Sequence, residues 1–247
     1  MRVFSLDQCA DQYVIALAPR DAIVGVSPRV DALDSYLGGQ SQGLPRRRAT
    51  AEAVLGAGAS VVVREWGGDD RLARTLAERN IQVLQIDEAE NFADVRKNIR
   101  KIAAGLGRSA AGEQLIARMD AQLAAAAGAW NGREALYLTP GGVTAGSGTL
   151  VDAILRSAGL RNLAPGPYFP SVSLEQLVMH PPSGLVLGFF DGPAAGMIWS
   201  PGRSPVVRRL AAERALDSLP AAVLGCPAWF AAEASRSLAD KASPARR

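Results

Sequence analysis

The sequence predicts an α/β protein of two Rossmann-like lobes joined by a single long spine helix. Three observations carry that expectation. Residues 109–128, SAAGEQLIARMDAQLAAAAG, place Leu115, Met119 and Leu123 at i, i+4 and i+8 with Ile116 beside them, an apolar stripe on a helix of about five turns. The chain on either side alternates short apolar runs with helical patterns. The two sides also echo each other: residues 51–86 and 174–224 share the order capped helix, apolar strand, aromatic-bearing loop, helix, strand, helix. The expected domains are therefore an N-terminal lobe over 1–107, a linking helix over 108–130 and a C-terminal lobe over 131–247.

The elements follow in order. Residues 2–6 read as a strand, and Asp7 stands where a helix N-cap belongs, ahead of Tyr13, Val14, Leu17 and Ala18, with Pro19 closing the helix. Residues 22–27 are a second β-rich run. Residues 28–48 carry Gly38, Gly39, Gly43 and Pro45 with little periodicity, and an irregular stretch of that length inside a compact domain is usually functional or mobile. Thr50 caps a short helix to Leu55, and residues 60–64 read as a buried strand. Glu65-Trp66-Gly67-Gly68-Asp69-Asp70 is then a strand-to-helix loop, at the edge where open α/β sheets hold ligands. A helix to Arg79, a strand over 81–86 and a helix over 91–104 complete the first lobe.

In the second lobe, residues 134–138 form a strand, 139–148 a glycine-rich loop, and Thr149 opens a helix over 150–157. Residues 164–170, with three prolines and the rings of Tyr168 and Phe169, form a stiff loop. Ser173 and Gln176 make a capping box for a helix to Met179. A strand over 185–190 leads to a Gly/Pro-rich loop containing Trp199. Ser204-Pro205 opens a helix to Arg214, since proline is at home in a first turn. Residues 221–225 read as the last strand, Cys226-Pro227 as the start of the last helix, to about Asp240, and the chain ends in a frayed tail.

Composition removes several function classes. With 27 basic and 24 acidic residues the net charge is +3, and the basic residues are scattered apart from Arg46, Arg47 and Arg48, so no nucleic-acid partner is expected. No apolar run reaches the length of a membrane span. One histidine, His180, and two cysteines cannot build a histidine-rich or zinc site, so neither metal nor cofactor is expected. Met1 is followed at once by strand residues, so the sequence as written shows no leader.

The loop from Gly141 to Gly148 invites a phosphate-binding reading. A P-loop needs a Lys after its last glycine, and here Gly146 is followed by Ser147 and Gly148; the dinucleotide spacing of glycines fails as well. What survives is a helix start at which backbone N–H groups, Ser147 or Thr149 meet a polar or anionic group. An α/β enzyme acting on a phosphorylated or nucleotide-like substrate through this loop is therefore the alternative function. Serine or cysteine catalysis would have only His180 as base, with no nucleophile elbow in the chain. Asp7 with Asp11 and Asp69 with Asp70 are helix-start acids, which the helix dipole favours without any catalytic role.

The aromatic residues point elsewhere. Tyr36, Trp66, Tyr168, Phe169, Phe190 and Trp199 fall on predicted loops at strand ends, with Trp229 just inside the last helix. Rings lining a cleft from both lobes suit a large, rigid, partly apolar ligand.

RVFSLDQCAD at residues 2–11, Leu17 to Arg20, residues 23–27, residues 60–68, SGTLVDAIL with AGLRNL over 147–163, and SLEQL over 173–177 together resemble the substrate-binding proteins of ABC importers for iron–siderophores and cobalamin. Trp66-Gly67-Gly68 and Ala228-Trp229-Phe230 are similar to the cobalamin-binding members. The resemblance implies an exported, periplasmic, monomeric and non-enzymatic protein. It would hold a cobalamin-like corrinoid or a ferric siderophore in the inter-lobe cleft and deliver it to an ABC importer permease. The implied ligand-binding residues are Asp7, Cys9, Tyr36, Trp66, Gly67, Ser147, Tyr168, Phe169, Phe190, Trp199 and Trp229, and the implied permease-docking acids are Asp69, Asp70 and Glu233. Cys9 and Cys226 each follow a predicted strand at a helix start, one per lobe; they are expected as two separate small side chains near the ligand, the alternative being a disulfide that tethers the lobes, which would need their Cα atoms within about 7 Å.

Overall fold

The structure, a computed structural model, describes residues 1–191 and 203–242. The chain divides into two units. The first holds residues 1–88, 93–117 and 225–229, and the second the described residues of 89–92, 118–224 and 230–247.

The first unit is built from β1 (Val3–Ser5), α1 (Gln8–Leu17), β2 (Ile23–Gly25), α2 (Ala51–Gly56), β3 (Val61–Arg64), α3 (Asp70–Glu78), β4 (Gln82–Gln85) and most of α4 (Phe92–Gly105). Its four strands are all parallel in the order β2-β1-β3-β4. Phe4, Leu6, Val54, Val62, Leu72, Leu76 and Ile81 form a core against the sheet. Each such side chain taken out of water contributes on the order of 1.5–3 kcal/mol.

Helix α5 (Ser109–Ala126) is the spine, and it runs from the first unit into the second. The second unit then repeats the first, with β5 (Glu134–Leu138), α6 (Leu150–Ser157), β6 (Arg161–Asn162), α7 (Leu174–Met179), β7 (Leu185–Gly188), α8 (Pro205–Arg214), β8 (Ala215–Leu219), α9 (Ala221–Leu224) and α10 (Ala231–Ala242). Its sheet is also parallel, in the equivalent order β6-β5-β7-β8. The caps read from sequence are made: the side chains of Asp7, Thr50, Thr149 and Ser204 accept first-turn amides, and Ser173 with Gln176 closes a full capping box.

Two local expectations are corrected, and two further features add detail. The last strand is Ala215–Leu219, and residues 221–224 are a helical turn. Pro220 separates them, and Asp191 accepts the Ala221 N–H that opens α9, so the apolar run AAVL coils behind a capped proline turn. The last helix begins at Ala231, so Cys226 and Trp229 precede it. The pairing strand β6 is two residues long, too short to leave a pattern. The irregular stretch 28–48 is held to α1 by polar side chains. Gln8 donates to Asp34 O, Gln12 donates to Ser35 Oγ and accepts from Leu37 N, and Asp11 accepts Ser27 N–H and Oγ–H.

Candidate ligand-binding edges

In a parallel sheet of this order the chain leaves β1 and β3 in opposite directions, and so does it leave β5 and β7. The crevice at that switch, beyond the carboxyl ends of the strands, is where open α/β sheets hold ligands.

In the first unit this edge is closed by one carboxylate. Asp7 is 1 % exposed; its Oδ1 accepts from Ala10 N–H, and its Oδ2 accepts from Glu65 N–H and Gly67 N–H at 2.8 Å each. The residue after β1 thus caps its own helix and pins the loop after β3. Gly67 is where the loop presses closest: a Cβ there would lie 2.5 Å from Leu6 O and 2.8 Å from Asp7 Oδ2. The pinned loop presents Trp66 outward, 58 % exposed. Tyr36, in the stretch after β2, is half-buried and engaged within the structure.

Cys9 and Cys226 are joined as a disulfide, with Cα atoms 5.4 Å apart. This corrects the expectation of two separate side chains. Cys226 sits in the segment 225–229, which packs in the first unit, and is not the start of a second-lobe helix. Tyr13 Oη donates to Pro227 O at 2.6 Å, and its ring meets Trp229 edge-on at 5.5 Å between centroids. Trp229 is 8 % exposed and fastens this segment.

In the second unit the glycine-rich loop after β5 is zipped to residues 168–172. Thr144 N–H and Gly146 N–H donate to Pro170 O and Tyr168 O, while Tyr168 N–H and Val172 N–H donate back to Ser147 O and Gly142 O. The amides of Gly142 and Val143 turn inward onto Thr139. A Cβ at Gly146 would stand closer to Gly166 O than any real contact allows. Asn162, on the strand the sequence hid, donates to Ala145 O and Asp152 Oδ1 and secures the loop from below. Four of its amides are engaged and Thr149 is used as a cap, so residues 142–146 serve as a scaffold. What it carries is Tyr168, 60 % exposed with φ 59°, and Phe169, 59 % exposed; Ser147 lies exposed beside them. A left-handed tyrosine is costly, and such residues gather at functional sites. Phe190, after β7, packs half-buried on the core. Trp199 lies outside the described residues.

Among the described residues, the exposed aromatic rings are Trp66, Tyr168 and Phe169, and all three stand on loops at the carboxyl ends of strands. A pocket of about 320 Å³ in the second unit, lined by Leu136, Leu163, Val172, Leu177, His180 and Pro182 among others, contains none of them. Of the three docking acids, Asp69 caps α3 through Leu72 N–H, Asp70 is 91 % exposed at its side chain, and Glu233 is half-buried and engaged in the first turn of α10. Glu65 escaped the sequence reading: burial first, then the charges of Asp7 and Glu88, push its carboxyl up to about 7.

Comparison with known proteins agrees with this architecture. Two cobalamin-binding proteins from strains of Halobacterium salinarum are 29 % identical over 202 residues, covering 76 % of this chain. The chain spans about half (53 %) of the length of those relatives. Among solved structures, the periplasmic heme-binding protein RhuT from Roseiflexus sp. RS-1 superposes with a TM-score of 0.74 at 23 % identity, over 98 % of this chain and 99 % of that one. The periplasmic heme-binding protein HutB of Vibrio cholerae gives 0.74 at 18 % over 99 % of each chain. The periplasmic vitamin B12 binding protein BtuF of Vibrio cholerae gives 0.64 at 18 % over 98 % and 96 %. At these identities the likeness is one of fold. The profile of the periplasmic binding proteins matches residues 3–223, nearly the whole chain, and the protein belongs to that family.

Proposed function

We propose that this chain is the substrate-binding component of an ABC importer, capturing a cobalamin-like corrinoid or a ferric siderophore and handing it to a permease. The observation that carries the reading is the placing of every exposed aromatic ring among the described residues on a carboxyl-end loop, Trp66 in one unit and Tyr168 with Phe169 in the other. Large rigid ligands with flat apolar faces are held by such rings. The cobalamin-binding relatives favour the corrinoid. An extracytoplasmic location follows from the family, and a disulfide suits an oxidising compartment. Asp70, with its side chain 91 % exposed, is well placed to meet a permease cation.

A tryptophan-fluorescence titration with cyanocobalamin, a panel of ferric siderophores and hemin, with inner-filter controls, tests the proposal. Saturable quenching by a corrinoid or siderophore that weakens in Trp66→Ala supports it. Saturation by none of them, or an unchanged response in Trp66→Ala, contradicts it.

A further inference from the structure

One carboxylate oxygen of Asp7, one of Glu65 and Cys9 Sγ lie within 4.8 Å of one another, a spacing that suits a cation if all three donors were free. Two are not. Asp7 is held by three backbone amides, and the Cys9 sulfur is bonded to Cys226 and offers no thiolate. Glu65 remains.

Its backbone is fixed at both ends, the N–H to Asp7 Oδ2 and the C=O to Gln85 Nε2 at 2.6 Å, so the side chain stands on a held frame. The residue is half-buried, and among the described residues no hydrogen-bond donor or cation meets its carboxylate. Arg64, next in sequence, points its guanidinium the other way, Nη2 donating to Gly68 O and Nη1 to Asp69 O, with Asp70 Oδ1 at 3.9 Å. The charges that do act on Glu65 are those of Asp7 and Glu88, both negative. A partly desolvated carboxyl with its acceptor sites open gains most from an incoming N–H donor and loses most to an incoming anion.

Resting on the reading that the Trp66 loop meets the ligand, we propose that Glu65 is a specificity residue. It rejects ligands presenting a carboxylate or phenolate at this edge and favours those presenting amide N–H groups. The cargo is then a neutral macrocycle rimmed with primary amides, as a corrinoid is, and not a dicarboxylate porphyrin or an anionic ferric chelate.

The test compares cyanocobalamin with its monocarboxylate isomers, in each of which one peripheral amide is hydrolysed to a carboxylate. Dissociation constants are measured by equilibrium dialysis at pH 8, where the Glu65 carboxyl is mainly ionised, with wild type and Glu65→Gln, which keeps the side chain's size while exchanging the charged oxygen for a neutral NH2 donor. At least one isomer should bind wild type about tenfold or more weakly than the parent compound, and Glu65→Gln should bring that isomer to within about threefold of the parent. Equal binding of every isomer to wild type, or a penalty that persists in Glu65→Gln, overturns the role of Glu65 while leaving corrinoid binding intact. Failure of every corrinoid to bind wild type overturns the proposal, and the broader reading falls with it only if the ferric siderophores also fail to bind.

Discussion

The Cys9–Cys226 disulfide ties the segment 225–229, after α9, to the first helix of the chain, across 217 residues of sequence. Tyr13 reinforces it from the same helix by its bond to Pro227 and its ring contact with Trp229. A crosslink closing so long a loop restricts the unfolded chain strongly, and removing one from a native protein costs about 2–5 kcal/mol. Chemical denaturation of the Cys9→Ser/Cys226→Ser double variant should show a loss of that size. A midpoint equal to that of the oxidised wild type would mean that the tether adds nothing to the hydrogen bond and ring contact beside it.

Asp7 should prove structural. In Asp7→Ala the amides of Ala10, Glu65 and Gly67 lose their acceptor together, a lost cap plus buried unpaired donors, for a cost of about 2–4 kcal/mol. Gly67→Ala should displace the same loop by clash with Leu6 and Asp7. Denaturant midpoints read both effects. Either variant retaining full stability with only its ligand affinity changed would return Asp7 to the list of direct ligand contacts.

Stability should fall as pH rises from about 5 to 8. Burial is the first cause that pushes Asp11 up from 3.8 to about 6 and Glu65 up from 4.5 to about 7. The folded state therefore holds more protons than the unfolded chain between these limits. The stabilisation is full below the unfolded values and is lost as pH passes the folded ones. Thermal melts at pH 5 and 8 should give the higher Tm at pH 5, and Glu65→Gln should shrink the difference by removing its upper part. A Tm that climbs toward pH 8 would contradict these shifts.

Tyr137 is 1 % exposed, and its hydroxyl finds no hydrogen-bond partner among the described residues. Tyr137→Phe removes a buried unsatisfied group at little loss of packing and should stabilise by about 1 kcal/mol, roughly 2–4 °C in Tm. Destabilisation by a similar amount would show that the hydroxyl is paired in solution.

Much of this was legible in the sequence because local rules and tertiary structure agreed. The stripe of Leu115 and Met119 gave the spine, and capping side chains at Asp7, Thr50, Thr149 and Ser173 marked helix starts that the structure makes. The echo of the halves emerged as two sheets of the same strand order. What failed was chemistry set by distant partners. AAVL is as apolar as a strand, and only Pro220 with Asp191 makes it a turn. That misplacement moved Cys226 to a helix start and ranked the disulfide below two separate side chains. Among the ring residues, exposure separates Trp66, Tyr168 and Phe169 from Trp229, and it depends on neighbours such as Tyr13 that lie far away in sequence. Glu65 passed unnoticed because an isolated glutamate after a strand carries no pattern; its environment comes from Asp7, Cys9 and Glu88.

The most direct test of the account is the dissociation constant for cyanocobalamin, measured by equilibrium dialysis on wild type, Trp66→Ala and Tyr168→Ala. The account predicts micromolar or tighter binding by wild type and a loss of about tenfold or more in each variant, the scale of a ring removed from the centre of a contact. Binding that neither substitution weakens, or no binding by wild type, would contradict the assignment of these loops as the ligand-holding edges.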